Sequence, residues 1–331
     1  MFYESFDPSN YQGISFPGLG LEMNPGRVLQ IGPFSIHYYG LIIAIGLALA
    51  VVYGLRRRKT FGLTEDDILD GALLIVPFAI ICARLYYCAF SWDSFKDDPI
   101  SMLYIWNGGI AIYGGVIGAA LGILVYCKVK KLSIGATLDL VALGFLIGQA
   151  IGRWGNFMNR EAFGDPVSSD YFLAMGLFNR YLGEYQYFHP TFLYESLWNA
   201  VGFVALHFLS RKRQYDGQIA LGYIAWYGLG RTFVEGLRTD SLWWGPFRVS
   251  QLLAAVSCLA AVVVLLIQAF RVHDRAKLYV NVVAAREAEA KAAEETAEAE
   301  EVAEAEDIAE TEEAAEAEET PVEETEEPAE E

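Results

Sequence analysis

The chain has 331 residues, 54% of them hydrophobic and 14% aromatic, with a formal net charge of −18. Long uncharged runs at that composition exclude an ordinary soluble domain. The charge is uneven: 22 of the 42 acidic residues fall in Glu287–Glu331, where Lys291 is the one basic residue; counted up to Ala285, the body holds 22 basic against 20 acidic residues. The acidity therefore says nothing about what the folded part binds, and no nucleic-acid partner is expected.

Residues 1–34 contain Pro8, Pro17, Pro25, Pro33 and several aromatics, and are expected to form an extracytoplasmic lead-in. They carry no basic n-region and no cleavage pattern, so no removable signal peptide is expected. Seven apolar runs of membrane-spanning length follow. They lie at Ser35–Leu55, Ile68–Phe90, Ile110–Val129, Leu138–Phe157, Phe192–Leu209, Gly217–Val234 and Val249–Phe270. The expected fold is thus all-α, a polytopic membrane protein with seven transmembrane helices over 35–275 and an outer loop at 160–190. From 276 to 331 the sequence turns to alanine and glutamate with dense like charge. That composition predicts a solvated, mostly disordered tail, with transient helix in part of it as the alternative.

Lysine and arginine placement orients the spans. Basic clusters follow the first span (Arg56, Arg57, Arg58, Lys59), the third (Lys128, Lys130, Lys131), the fifth (Arg211, Lys212, Arg213) and the seventh (Arg271, Arg275, Lys277). The alternate loops are poor in them. The clusters are expected in the cytoplasm, which puts the N-terminus outside and the C-terminus, with its acidic tail, inside. Gly114, Gly118 and Gly122 on the third span, and Gly144, Gly148 and Gly152 on the fourth, recur every four residues and predict close helix packing. Cys82, Cys88, Cys127 and Cys258 are scattered without ligand spacing. They read as packing residues, with no metal and no cofactor indicated.

The polar groups concentrate at one depth. The fourth span ends in GRWGNFMNREAFG (Gly152–Gly164), where Arg153, Asn156 and Asn159 stand at i, i+3, i+6 along one face. A guanidinium flanked by carboxamides suits an anion with oxygen acceptors, above all a phosphate; a network that joins helices is the structural alternative. On the sixth span Arg231, Glu235 and Arg238 share another face. His37-Tyr38-Tyr39-Gly40, Trp106–Gly115 and His189–Glu195 open the first, third and fifth spans at the same outer level. Charges inside membrane-length helices mark function by default. Arginines at that depth would suit displacement of a phosphate-bearing leaving group from a lipid. They would suit an anion transporter or flippase equally, and a scaffold that recruits partners through its acidic tail is a third reading.

GRWGNFMNRE with Gly164, HYYG, WNGGIAIYGG, HPTFLYE and YGLGRTFVEGLR, in their order along Ile31–Phe270, resemble the phosphatidylglycerol–prolipoprotein diacylglyceryl transferase family. The resemblance implies seven spans with the N-terminus outside, in the bacterial plasma membrane. It implies transfer of diacylglycerol from phosphatidylglycerol to the lipobox cysteine thiol of a preprolipoprotein signal peptide, with release of glycerol phosphate. It places catalytic roles on Tyr39, Arg153, Asn156, Arg231 and Glu235. Lipid-binding roles fall on Arg153, Asn159, Glu161, Gly164, Arg238, Tyr113 and His37. Tyr113 stands where some members have a histidine, which leaves Glu235 or Glu161 as candidate proton acceptors.

Overall fold

The computed structural model describes residues 10–238 and 243–318. The ends of the expected lead-in and tail, 1–9 and 319–331, lie outside them. Residues up to 280 form one compact unit, and those from 281 belong to a second.

The first unit is mostly helical. Its helices are α1 (Tyr38–Arg57), α2 (Glu65–Phe90), α3 (Ile112–Lys130), α4 (Ile134–Asn159), α5 (Thr191–Ser210), α6 (Gln218–Leu237) and α7 (Val249–Ala269). Among the described residues six of these are long and apolar enough to cross a membrane, all but α6. Polar residues at the end of α6 dilute an otherwise apolar helix. Leu73, Leu85, Phe90, Ile112, Val129, Leu259 and Phe270 remain exposed on α2, α3 and α7 or at their ends. A soluble protein does not display such a belt, whereas lipid accepts it.

Local chemistry sets the helix ends. Thr64 and Asp67 form a reciprocal capping box at the start of α2, with 3.1 and 2.9 Å hydrogen bonds. The Ser133 hydroxyl accepts from the Ala136 N–H at the start of α4. Asp139, fully buried on α4, accepts the backbone N–H groups of Gly217, Ile219 and Ala220 at 2.8–2.9 Å. A carboxylate at the N-terminus of α6 satisfies orphan donors and complements the helix dipole.

Helix α4 is central, packed against α1, α5 and α6, while α2 pairs with α3 and α6 with α7. A Cβ on Gly114 would come within 2.6 Å of the Cys82 carbonyl and one on Gly118 within 3.1 Å of Ala79 Cα. The third-span glycine face therefore seats α3 on α2, as small-residue packing requires.

The all-α expectation needs correction outside the helices. β1 (Tyr11–Phe16), β2 (Leu21–Met23), β5 (Met175–Asn179) and β6 (Glu184–Phe188) form an antiparallel sheet in the order β2-β1-β5-β6. The lead-in thus pairs with the 160–190 segment, and Ile14, Phe16, Leu177 and Phe188 bury a small core with Phe157 and Phe192 at the ends of α4 and α5. β3 (Val28–Ile31) and β4 (Phe34–His37) make a hairpin into α1, and β7 (Trp243–Trp244) and β8 (Phe247–Arg248) one into α7.

Two buried arginines tie irregular segments to helix ends. The Arg84 side chain donates to the carbonyls of Ser101, Met102, Gly108 and Gly109 at 2.6–2.9 Å. Arg160, also buried, donates to the Gln12 and Pro25 carbonyls and to Asn24 Oδ1. Burial lowers its pKa to about 10, which still leaves it charged at neutral pH. Arg160→Ala would orphan these acceptors at once. Limited proteolysis of the purified protein should then cut within residues 10–30 several-fold faster, while cleavage elsewhere stays unchanged.

The second unit continues α8 (Tyr279–Glu318). A helix here departs from the expected disorder. Alanine and glutamate are strong helix formers.

Candidate active site

Three helices, α4, α5 and α6, meet around one carboxylate. Glu195 lies at the start of the second turn of α5 and is 4% exposed. Its Oε2 pairs with Arg153 of α4, and its Oε1 accepts from Arg231 of α6 at 2.8 Å, with Arg238 4.0 Å away. Arg231 also bridges Glu235 one turn on, at 2.5 Å, and Arg238 lies 3.9 Å from that same carboxylate. The Arg248 side chain donates to the Glu235 backbone carbonyl and stacks 5.0 Å from the Trp243 ring.

From Arg153 a second chain of bonds runs outward. Arg153 donates to Asn156 Oδ1 at 3.2 Å; Asn156 Nδ2 donates to Glu161 Oε1 at 2.9 Å; Asn159 Nδ2 donates to the same oxygen at 3.3 Å. Helix α4 closes just there. Arg160 takes the left-handed conformation (φ 57°), with its N–H and that of Glu161 returning to the Phe157 and Asn156 carbonyls. That turn lets Glu161 face back toward the helix's own carboxamides.

Formal charge is informative. Arg153, Arg231 and Arg238 face Glu195 and Glu235, so among these five side chains positive charge exceeds negative by one. A singly charged phosphodiester would balance it. Burying such a charge without an anion is costly.

Two glycines fit the site together. Gly155 lies under the Tyr39 ring, where a Cβ would come within 2.8 Å of Cδ2. Tyr39 is thereby held beside α4, within electrostatic reach of Glu161 and Arg153. Gly164 bridges Arg238 and donates its N–H to the His189 carbonyl at 2.9 Å, and a Cβ there would meet His189 Cβ at 2.7 Å. It lies in the segment after α4, paired with the backbone just before α5 and just after α6.

The structure thus gathers Tyr39, Arg153, Asn156, Asn159, Glu161, Gly164, Arg231, Glu235 and Arg238. It does not bring in two other candidates. The Tyr113 hydroxyl pairs with Ser250 Oγ at 3.0 Å, joining α3 to α7. His37 is exposed at the end of the β3–β4 hairpin, opposite Val28. The His189 ring does not cap α5 but bonds the Tyr194 hydroxyl at 3.2 Å. Sequence reasoning quoted Glu195 without giving it a role and missed Arg248. A carboxylate inside a membrane-length helix was the available signal for Glu195.

Helices α5 and α6 are locked just behind the cluster. The Trp198 and Trp226 rings stack with centroids 4.4 Å apart, and each indole N–H donates to the other's backbone carbonyl at 2.9 Å. A Cβ on Gly230 would overlap Trp198 Nε1, and one on Gly202 would overlap Trp226 Nε1. Gly230→Ala should force the indole out and shift Arg231, the next residue. Overpacking of this kind costs about 1–3 kcal/mol. The expected readout is a lower melting temperature together with transfer reduced by roughly tenfold or more.

Comparison with known proteins identifies the family. The family model for prolipoprotein diacylglyceryl transferase matches residues 27–267. The phosphatidylglycerol–prolipoprotein diacylglyceryl transferase of Limosilactobacillus reuteri is 43% identical over 271 residues, covering 80% of this chain and 97% of the relative. The enzymes of that name from Listeria monocytogenes and Bacillus licheniformis are each 42% identical, over 72% and 75% of this chain and 87% and 94% of their own. The chain belongs to the prolipoprotein diacylglyceryl transferase family.

Proposed function

We propose the following account of how this chain works as a phosphatidylglycerol–prolipoprotein diacylglyceryl transferase. It transfers the diacylglyceryl group of phosphatidylglycerol to a prolipoprotein, the first step of lipoprotein maturation. The observation that carries the mechanism is the convergence of Arg153, Arg231 and Arg238 on Glu195 and Glu235 where α4, α5 and α6 end together.

The lipid phosphate sits against Arg153 and Arg231, with Arg238 at the edge. Asn156, Asn159 and Tyr39 orient the glycerol headgroup. The thiolate of a lipobox cysteine attacks the diacylglycerol carbon that bears the phosphate oxygen. A C–S bond forms, the C–O bond breaks, and its electron pair leaves on glycerol phosphate. The leaving group gains negative charge in this step, so fixed guanidinium groups stabilise the transition state more than the bound lipid. Of the two carboxylates considered as proton acceptor, Glu235 is ion-paired with Arg231, whereas Glu161 is held by two neutral carboxamides. Glu161 is the better placed to take the thiol proton. Gly164 acts through the backbone, and Tyr113 and His37 shape the surroundings rather than touch the phosphate.

The chain spans the bacterial plasma membrane seven times, α6 being the sixth span despite its polar end. Its functional bodies are an extracytoplasmic lead-in at 1–34, a transmembrane catalytic domain at 35–275 with an outer loop at 160–190, and a cytoplasmic acidic tail at 276–331. The N-terminus is outside, which the basic clusters after α1, α3, α5 and α7 support.

Purified protein in detergent, given phosphatidylglycerol and a lipobox peptide, should raise the peptide's mass by one diacylglyceryl group. A peptide with serine in place of the cysteine should stay unmodified. Well-folded protein that binds the lipid yet never modifies the cysteine peptide would overturn the mechanism.

A further inference from the structure

The opposite end of the helix bundle carries a second basic site. Helices α5, α6 and α7 are each 20–21 residues long, so their far ends lie about 30 Å from the arginine–glutamate cluster. There the α5–α6 loop and the segment after α7 border a shallow, open cavity of about 370 Å³ lined by Lys212, Gln214, His273 and Arg275. Two cations, an amide and an imidazole line it, with no carboxylate among them.

Its walls are held in place. The His273 ring stacks on Tyr215 with centroids 4.6 Å apart, and its Nε2 lies 2.8 Å from the Gln268 carbonyl. A carbonyl only accepts, so Nε2 carries the hydrogen. Arg213, next to Lys212, is buried over the Phe61 ring and faces Asp139 and Asp216. Asp274, the nearest carboxylate in sequence, accepts the Ala276 N–H instead. Basic residues that served topology alone would need no such scaffold.

Exposed apolar side chains precede the cavity's His273 in the chain. Phe270 and Val272 are 89% and 101% exposed immediately before His273. A basic cavity beside exposed apolar groups at a helix end fits a phosphate that arrives with acyl chains. We propose that this cavity binds the phosphate of an anionic phospholipid headgroup, with Lys212 and Arg275 supplying charge and Gln214 a hydrogen bond. Phe270 and Val272 contact its chains. The leaflet, cytoplasmic, follows from the orientation proposed above; the binding itself does not depend on it.

The test uses the full chain in neutral detergent with phosphatidylcholine micelles containing phosphatidic acid, and counts retained phosphatidic acid by native mass spectrometry. Lys212→Gln/Arg275→Gln should retain one molecule fewer, with affinity at that site roughly tenfold weaker or more. Its melting temperature and transfer turnover should match those of the native chain. Arg271→Gln/Lys277→Gln removes two like charges outside the cavity and should bind as the native chain does. Equal weakening in both double variants, or equal retention in all three proteins, would overturn the proposal. Displacement of the lipid by equimolar inorganic phosphate would overturn the lipid assignment. Retention is read without turnover, so an inactive native chain would sink the transferase mechanism and leave this result standing.

Discussion

Arg153→Ala is expected to lower kcat/KM for diacylglyceryl transfer by about 10²–10³-fold, the scale of removing one preorganised donor from a developing anion. Arg153 reaches Glu195 with one terminal nitrogen and Asn156 with the other, so the guanidinium fork is committed in two directions. Lysine keeps the charge but offers a point donor in place of the fork. Arg153→Lys should therefore fall between the two, recovering roughly a tenfold part of the loss. Because charge grows on the leaving phosphate, kcat should drop as well as KM rise; a change in KM alone would mean uniform binding of lipid and transition state. Arg153→Ala that expresses normally and transfers at full rate would remove the phosphate role from this residue.

How much of this was legible beforehand depends on the kind of signal. The apolar runs lie close to helices α1–α7 because membrane length and composition are local properties. Arg153, Asn156 and Asn159, and Arg231 with Glu235, were legible as faces since helical periodicity is local too. The sheet was not. Tyr11–Phe16 pairs with Met175–Asn179 across about 160 residues of chain, and nothing in YQGISF indicates its partner. Arg84 and Arg160 grip backbone carbonyls, an acceptor type that every residue carries, so sequence cannot point to it. Tyr113 looked like a site residue by its neighbours in the chain, yet its hydroxyl turns to Ser250 on α7. In the tail, lack of a core argued for disorder, while local propensity gave a helix through Glu318.

Glu195→Gln should be the most damaging single-atom change in the site, although sequence gave it no role. The carboxylate serves Arg153 with one oxygen and Arg231 with the other. Glutamine keeps one acceptor and turns an N–H₂ group toward the second arginine, donor against donor. The excess of positive charge among the five side chains would also rise from one to two. Removing one partner of a buried pair costs about 3–5 kcal/mol, so the melting temperature should fall clearly. Transfer should fall by 10²-fold or so, since both phosphate-binding guanidiniums lose their anchor. Glu161→Gln is the instructive contrast. Glu161 Oε1 accepts from two neutral carboxamides, and glutamine preserves that oxygen, so stability should hardly change. If Glu161 takes the thiol proton, its glutamine variant will be stable yet slow, with the loss in kcat rather than in lipid affinity. Two carboxylates tied to the same arginine, one directly and one through Asn156, would then separate cleanly, one holding the site together and the other moving the proton. Equal losses of stability in the two variants would contradict that division.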